Sequence, residues 1–283
     1  MAFNFNVSEQ NRILANSHRG YSTKYPENTM PAFIGALEAG TRSIELDVAM
    51  SKDEQIVVIH DFSIERVSNG VGYVEQMTLA ELQQYDYGVS FAPEFADTPI
   101  PLLKEVLLWA VENDVGLLVE AKQRRNHQRF AEVLVNLLQE TNAVDNVLLL
   151  GFDHVLINRV KTLLPEVKLQ VVTLARYHDQ LAAVLASNAS SVCVEYHYVG
   201  KEDLIAYKKA GLSVRLYLHE SKGEPILKTY NKKYGYDVEN EIIGWLSEGL
   251  IDMLSHDDIP YLKYLIDKSG KKGILKSYIQ SAV

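Results

Sequence analysis

Short runs of aliphatic and β-branched residues recur along the chain. Between them lie longer stretches in which apolar positions return every three or four residues. Runs of the first kind read as strands and stretches of the second kind as helices. The runs predict strands over Arg12 to Ser17, Ser43 to Ala49, Ile56 to His60, Val115 to Ala121, Asn146 to Phe152, Lys168 to Leu174, Ser191 to Tyr196, Ser213 to Leu218 and Leu250 to Ser255. Thr29 to Ala39 and Asn126 to Glu140 are examples of the helical spacing. Strand and helix alternate over most of the length, which predicts a parallel sheet. We therefore expect an α/β fold, a TIM-like (β/α)8 barrel that is distorted at one place.

The distortion lies early in the chain. Between "SIELDVAM" and "QIVVIH" stand four residues, "SKDE", too few for the crossover that parallel neighbours need. These two strands should form an antiparallel hairpin. With its tip at Ser51 to Glu54, Glu45 falls opposite His60 and Asp47 opposite Val58. Glu45, Asp47 and His60 are then expected on one patch. The hairpin helps explain why nine strands are counted where a barrel takes eight. From Asp61 to Pro101 the sequence fits no βα unit. "SNGVGY" and "MTLAELQQYDYG" read as a turn-rich stretch and a short helix, a small insertion on the barrel rim after the third strand. Residues 1–283 are read as one barrel domain carrying that insertion at about 61–101.

Composition narrows the function classes. With 47% apolar and 23% charged residues the chain can bury a sizeable core. A net charge of −9 disfavours binding to nucleic acid or other polyanions. Cys193 is the single cysteine and sits in the apolar run "SSVCVEY", which reads as a buried structural thiol rather than a nucleophile. The N-terminal "MAFNFNVSEQNR" lacks a basic stretch followed by an apolar one. No run of about eighteen apolar residues occurs, so we expect no signal peptide, no membrane span and a soluble cytoplasmic protein.

Polar residues gather at the ends of the first four predicted strands: His18 and Arg19, Glu45 and Asp47, His60 and Asp61, Glu120 and Lys122. In a barrel the C-terminal strand ends build the active site. Three carboxylates with no cysteine beside them suit a hard divalent cation, Mg²⁺ or Ca²⁺, better than zinc. Two histidines on separate strands suit a general acid and a general base. Arg19 and Lys122 offer fixed positive charge that fits a phosphoryl oxyanion. Each element also has a plain structural reading, since "ELD" alone is commonly an ordinary charged pair. The joint pattern is the stronger signal.

The stretches "HRGYSTKYPENTMPAF", "IELDVAMSKDEQIVVIHD", "NGVGYVEQMTLAELQQYDYG", "IPLLKEVL" and "VEAK" resemble, in order and spacing, the signature of the glycerophosphodiester phosphodiesterases. The resemblance runs from about Leu14 to Lys122 and weakens beyond. It implies a TIM-like barrel, one divalent metal ion (Ca²⁺ or Mg²⁺), and hydrolysis of a small glycerophosphodiester to an alcohol and glycerol 3-phosphate. It also implies His18 and His60 as the acid/base pair. Glu45, Asp47 and Glu120 would be the metal ligands, and Arg19 and Lys122 the phosphate contacts.

The C-terminal part departs from the pattern. Where the family usually shows "WTVN" and, near the last strand, "TD", this chain has "LYLHES" and "LSHDDIP", separated by the longer segment "KGEPILKTYNKKYGYDVENE". Tyr217 is expected to replace the aromatic wall of the pocket, and these regions are expected to face the leaving alcohol or the glycerol. Two other readings compete: a barrel phosphodiesterase of the phospholipase D toxin or phosphoinositide phospholipase type, and a non-catalytic binding module on the same barrel.

Overall fold

The ladder pairs of the computed structural model, which describes residues 3–5, 7, 11–219 and 223–273, close into a ring. Its strands are β1 (Arg12–Ser17), β2 (Ser43–Met50), β3 (Ile56–Val58), β4 (Gly116–Ala121), β5 (Val147–Gly151), β6 (Lys168–Thr173), β7 (Ser191–Glu195), β8 (Ser213–Tyr217), β9 (Met253–His256) and β10 (Lys272–Gly273). β1 pairs in parallel with both β2 and β9, and the remaining parallel pairs run β2, β4, β5, β6, β7, β8, β9. Eight parallel strands with helices between them form a TIM barrel. β3 and β10 lie outside the ring, β3 antiparallel to the end of β2 and β10 parallel to the start of β1. β3 is thus the surplus strand, and the two-residue β10 has no counterpart among the expected strands.

The hairpin is antiparallel, but its register differs from expectation by one residue. The pairs are Val48↔Val58, Ala49↔Val57 and Met50↔Ile56, so Glu45 does not oppose His60 and Asp47 does not oppose Val58. The loop decides this. Ser51 N–H donates to Gln55 O at 2.8 Å, and Glu54 takes the left-handed conformation at φ 63°. Three residues therefore turn the chain, in the arrangement that places a left-handed residue last. A four-residue tip would have shifted every pair by one. The strand also stops at Val58, after which Ile59 N–H reaches Asp47 O at 2.9 Å and His60 leaves the ladder.

Strand residues divide by parity between two cores. Ile13, Ala15, Ile44, Leu46, Val48, Leu117 and Val119 face outward into the layer of helices. Leu14, Leu118, Leu148, Leu150, Cys193 and Met253 face the barrel interior, where Phe3, Phe5 and Val7 plug the lower end. Gly116 has no side chain because a Cβ there would run into the Phe3 ring. Truncating a fully buried leucine such as Leu46 or Leu118 to alanine should cost about 2–5 kcal/mol.

The expected helices are present as Met30–Glu38, with Pro31 in its first turn, and His127–Glu140. Between β3 and the helix Leu103–Glu112 the chain forms short 3₁₀ turns and the helix Leu79–Leu82. That helix is started by a capping box in which Thr78 and Glu81 exchange hydrogen bonds. Ile59, Ile64, Val74, Leu82, Tyr87 and Ile100 pack there as a cluster of their own. No helix among the described residues is long and apolar enough to cross a membrane.

Candidate active site

Because side chains alternate along a strand, the residues inward of Ile44, Leu46 and Val48 are Glu45 and Asp47. The β2–β4 register sets Asp47 directly beside Glu120. All three carboxylates are buried, and each offers an oxygen within 4.8 Å of the others. Their orientations are fixed by the loop after β1. Arg19 N–H donates to Glu45 Oε2 at 3.1 Å, while Asn28 Nδ2 donates to Asp47 Oδ2 at 2.8 Å and Asn28 Oδ1 accepts from Asp47 N–H at 3.2 Å.

That loop folds tightly. Arg19 and Asn28 both take left-handed backbone conformations, φ 55° and 58°, and Asn28 N–H donates to Arg19 O at 3.0 Å. Gly20 between them has φ +84°, and a Cβ there would come within 2.8 Å of the Ala32 backbone. Glycine is required on both counts. Backbone strain of this kind persists where the surroundings over-determine it.

The three acids share little positive charge. Lys122 Nζ stands 3.4 Å from Asp47 Oδ1 and in ion-pair contact with Glu120 Oε1. Arg19 Nε lies 3.3 Å from Asp47 Oδ2. Burial works against ionising Asp47, but Lys122 and Arg19 overcome it and hold its carboxyl down at about 2. Burial, followed by repulsion from Asp47, pushes Glu120 up to about 7 despite Lys122. Asp47 Oδ1 is buried and accepts no hydrogen bond. An all-oxygen set in which Asp47 Oδ1 and Glu120 Oε1 both lack a hydrogen-bond donor, and one carboxyl is forced toward its neutral form, is short of positive charge. A hard divalent cation would correct both.

Two histidines flank this cluster, each held by its own aspartate. His18 follows β1, and its Nδ1 bonds Asp257 Oδ1 at 2.8 Å, while its Nε2 stands 3.8 Å from Glu45 Oε2. Burial lowers the His18 pKa, but Glu45 and the Asp257 hydrogen bond outweigh it and leave it above 6.5. His60 follows β3, and its Nδ1 bonds Asp61 Oδ1 at 2.6 Å. With Nδ1 taken in both rings, Nε2 is the nitrogen left for other partners. A carboxylate on the far nitrogen fixes tautomer and orientation.

Residues 18–259 match the model of the glycerophosphoryl diester phosphodiesterase family. The chain belongs to this family. It is therefore a phosphodiesterase by enzyme class. Over 204 residues it is 32% identical to a glycerophosphodiester phosphodiesterase of Caldanaerobacter subterraneus subsp. tengcongensis, covering 72% of this chain and 84% of that one. Over 166 residues it is 34% identical to a glycerophosphodiester phosphodiesterase of Bacillus altitudinis, covering 58% of this chain and 67% of that one. Its fold resembles an Oleispira antarctica phosphodiesterase solved in complex with the product sn-glycerol-3-phosphate, at a TM-score of 0.76 and 22% identity, covering 92% and 99% of the two chains.

In this phosphodiesterase the residues singled out from the sequence converge. His18, Arg19, Glu45, His60, Glu120, Lys122 and Tyr217 line one cavity of about 250 Å³, with Asp47 fully buried beside Glu45 and Glu120. His60 arrives by leaving the hairpin, not by pairing with Glu45. The Tyr217 ring lies 4.7 Å from the His18 ring, as a wall of the cavity. A second cavity of about 450 Å³ shares His18, Arg19 and Tyr217 and extends outward past Ser22, Glu27 and Asp257.

Sequence reasoning assigns no part to several residues found here. Asp257 lies one residue past β9, so the strand-end rule that picks out His18 would also flag it. Glu27 and Arg66 form a chain: Arg66 Nε donates to Asp61 Oδ2 at 2.6 Å, its Nη1 and Nη2 donate to Glu27 at 2.7 and 2.8 Å, and Glu27 Oε1 accepts from Arg19 Nη1 at 2.9 Å. One continuous network therefore runs from His60 to Arg19. Of the departing C-terminal stretches, Glu220 to Lys222 lie outside the described residues.

Proposed function

We propose that this protein hydrolyses glycerophosphodiesters to an alcohol and glycerol 3-phosphate, with His18 and His60 as separate proton carriers. The observation that carries the reading is that two His–Asp couples bring their rings to the same cavity as three convergent carboxylates. Catalytic acids and bases need their reacting nitrogen free and their far nitrogen fixed, and both rings meet that condition. The relatives' names agree with the substrate class.

Glu45, Asp47 and Glu120 would hold one Ca²⁺ or Mg²⁺ ion, which when bound supplies positive charge against developing negative charge on the phosphoryl oxygens. Arg19 and Lys122 then act as fixed donors beside the phosphate, preorganised by their ion pairs with Asp47 and Glu120. One histidine Nε2 takes a proton from the attacking oxygen, either a water or the adjacent glycerol hydroxyl whose cyclic ester a water then opens, as that oxygen bonds to phosphorus. The other gives a proton to the departing alkoxide, so no free oxyanion is released. The segment 61–101 belongs, in this reading, to the same domain, since Asp61 and Arg66 hold His60.

Release of glycerol 3-phosphate from several glycerophosphodiesters, with Mg²⁺ or Ca²⁺ and then with chelator, tests the proposal. Metal-dependent release is expected. Cleavage of phospholipid headgroups without that release would favour the phospholipase-type barrel, and tight binding without turnover in any divalent metal would favour a binding module.

A further inference from the structure

The barrel interior carries a cation that the reaction above does not use. Arg215 stands on β8 two residues before Tyr217, is 3% exposed, and lines the same cavity as Arg19, Lys122, Glu45 and Glu120. Its Nη2 donates to Ser255 Oγ on β9 at 2.8 Å and its Nη1 to Gln170 Oε1 on β6 at 3.4 Å. In the ring β9 adjoins β8 on one side, and β6 lies beyond β7 on the other. A side chain that reaches both has its guanidinium inside the barrel, on the floor of the cavity, rather than against its own strand.

The partners of Arg215 pass the polarity on. Ser255 Oγ donates in turn to Asn16 Oδ1 at 2.7 Å, and Asn16 Nδ2 donates to Ser43 Oγ at 2.9 Å. On the other side Gln170 Nε2 donates to Ser191 Oγ at 2.7 Å, which donates to Ser213 O at 3.2 Å. Each dipole of this buried belt turns its oxygen toward the guanidinium. The belt therefore solvates a permanent cation without neutralising it. Arg19 and Lys122 are held differently, the first against Glu27 and Asp47, the second against Asp47 and Glu120. Among the described residues Arg215 has no acid for a partner, and its Nε–H has no acceptor. Burying an ion without a counter-ion is costly. A guanidinium kept ordered, charged and unneutralised at a cavity suits an anionic ligand.

We infer that Arg215 is a third cation for the phosphoryl group, and that it acts on the negative charge this group gains as the diester becomes a monoester. The inference rests on the glycerophosphodiester reading. A phosphodiester carries a single negative charge, whereas a phosphate monoester carries about −1.5 to −2 at neutral pH. The charge on the phosphoryl oxygens already rises as the attacking oxygen bonds to phosphorus. Arg19 and Lys122 answer to carboxylates as well as to the phosphate. Arg215 answers to none at close range, so its field favours the more negative species over the substrate, which is the condition for raising turnover rather than substrate affinity.

The test compares two ligands by calorimetry, with Mg²⁺ present throughout and at about pH 8, where the monoester is doubly charged. One is glycerol 3-phosphate. The other is the glycerol ester of methylphosphonate, in which a methyl group replaces one phosphoryl O⁻. In Arg215→Met, glycerol 3-phosphate should bind about 10- to 100-fold more weakly, and the methylphosphonate should stay within about threefold of wild type. Arg215→Lys keeps the charge and should recover most of the difference. On a glycerophosphodiester, Arg215→Met should lower kcat by about 10- to 100-fold with KM within about threefold. Equal weakening of both ligands would make Arg215 a shaper of the cavity and overturn the inference. Unchanged affinity for glycerol 3-phosphate in Arg215→Met would overturn it too, as would an Arg215→Lys protein as weak as Arg215→Met. Where Arg215→Met does not fold, Arg215→Gln, which keeps a donor for the belt, takes its place with the same expectations. A wild type that releases glycerol 3-phosphate from no ester would instead remove the proposed function.

Discussion

The wall made by β1, β2 and β4 and the wall made by β7 and β8 close the same cavity with different materials. On the first, Glu45, Asp47, Glu120, Arg19, Lys122 and His18 touch one another in a dense ionic network. On the second, the ion pair His219–Glu195 stands among Tyr217, Cys193 and Arg215, whose guanidinium bonds the uncharged Gln170 and Ser255. Groups locked by many partners keep their positions as charge develops, which is what a reacting centre requires. A wall with fewer ionic contacts and several rings holds a ligand by shape and by a small number of polar contacts. The contrast sets a dense cluster of mutually paired charges against a wall with fewer ionic contacts.

The comparison breaks first at Asp47. Asp47→Ala should lower turnover by more than the roughly 10⁴-fold expected at most for loss of one acid or base. It removes an oxygen donor and also takes one partner from each of two partly buried cations, Arg19 and Lys122, which keep Glu27 and Glu120, so stability should fall by about 1–3 kcal/mol. Steady-state kinetics and a thermal melt measure the two effects together. Next come His18→Ala and His60→Ala, each expected to lower kcat by about 10² to 10⁴ while divalent-metal binding, followed by calorimetry, survives.

Asp257→Asn sharpens the account of His18 and should cost about 10- to 100-fold, as partners of functional histidines do. The His18 pKa lies above 6.5 in the folded protein because Glu45 and Asp257 outweigh burial. A raised pKa favours the folded state fully below about pH 6.5 and loses that contribution as pH rises through the higher folded value. Without the Asp257 charge the folded value drops. The His18 limb of the kcat/KM profile should then move to lower pH, and the stabilisation on acidification should shrink. An unmoved limb would mean that Asp257 does not tune this histidine.

The smallest effect is expected on the opposite flank of the first wall. Arg66 is half exposed, and surface ion pairs contribute about 1 kcal/mol or less. Arg66→Ala should therefore lower turnover by no more than about fivefold. A loss as large as that of His60→Ala would show that the chain through Glu27 is essential to the site.

The same contrast explains what can be read from the chain. The candidate catalytic residues come from the ends of the first four strands, so His18, Glu45, Asp47, His60, Glu120 and Lys122 are legible as a pattern in the sequence itself. The barrel is legible too, because alternating strand and helix periods leave few other arrangements. What escapes is set by distance or by one residue of turn geometry. Asp257 meets His18 across 239 positions, and Glu195 meets His219 from a different strand, with no local motif at either place. The hairpin differs by one because Glu54 adopts a left-handed conformation, which its side chain does not announce. Even so, His60 reaches the cavity, since the chain bends out of the ladder beyond Val58.

The division of labour between the two histidines is tested most directly by comparing His18→Ala and His60→Ala on an ordinary glycerophosphodiester and on a nitrophenyl ester. A nitrophenolate leaves without needing a proton, so the activated ester bypasses the general acid but not the general base. The account predicts that this ester restores turnover to one variant and leaves the other impaired by about 10² to 10⁴. Restoration of both, or wild-type activity of either variant on the ordinary substrate, would contradict it.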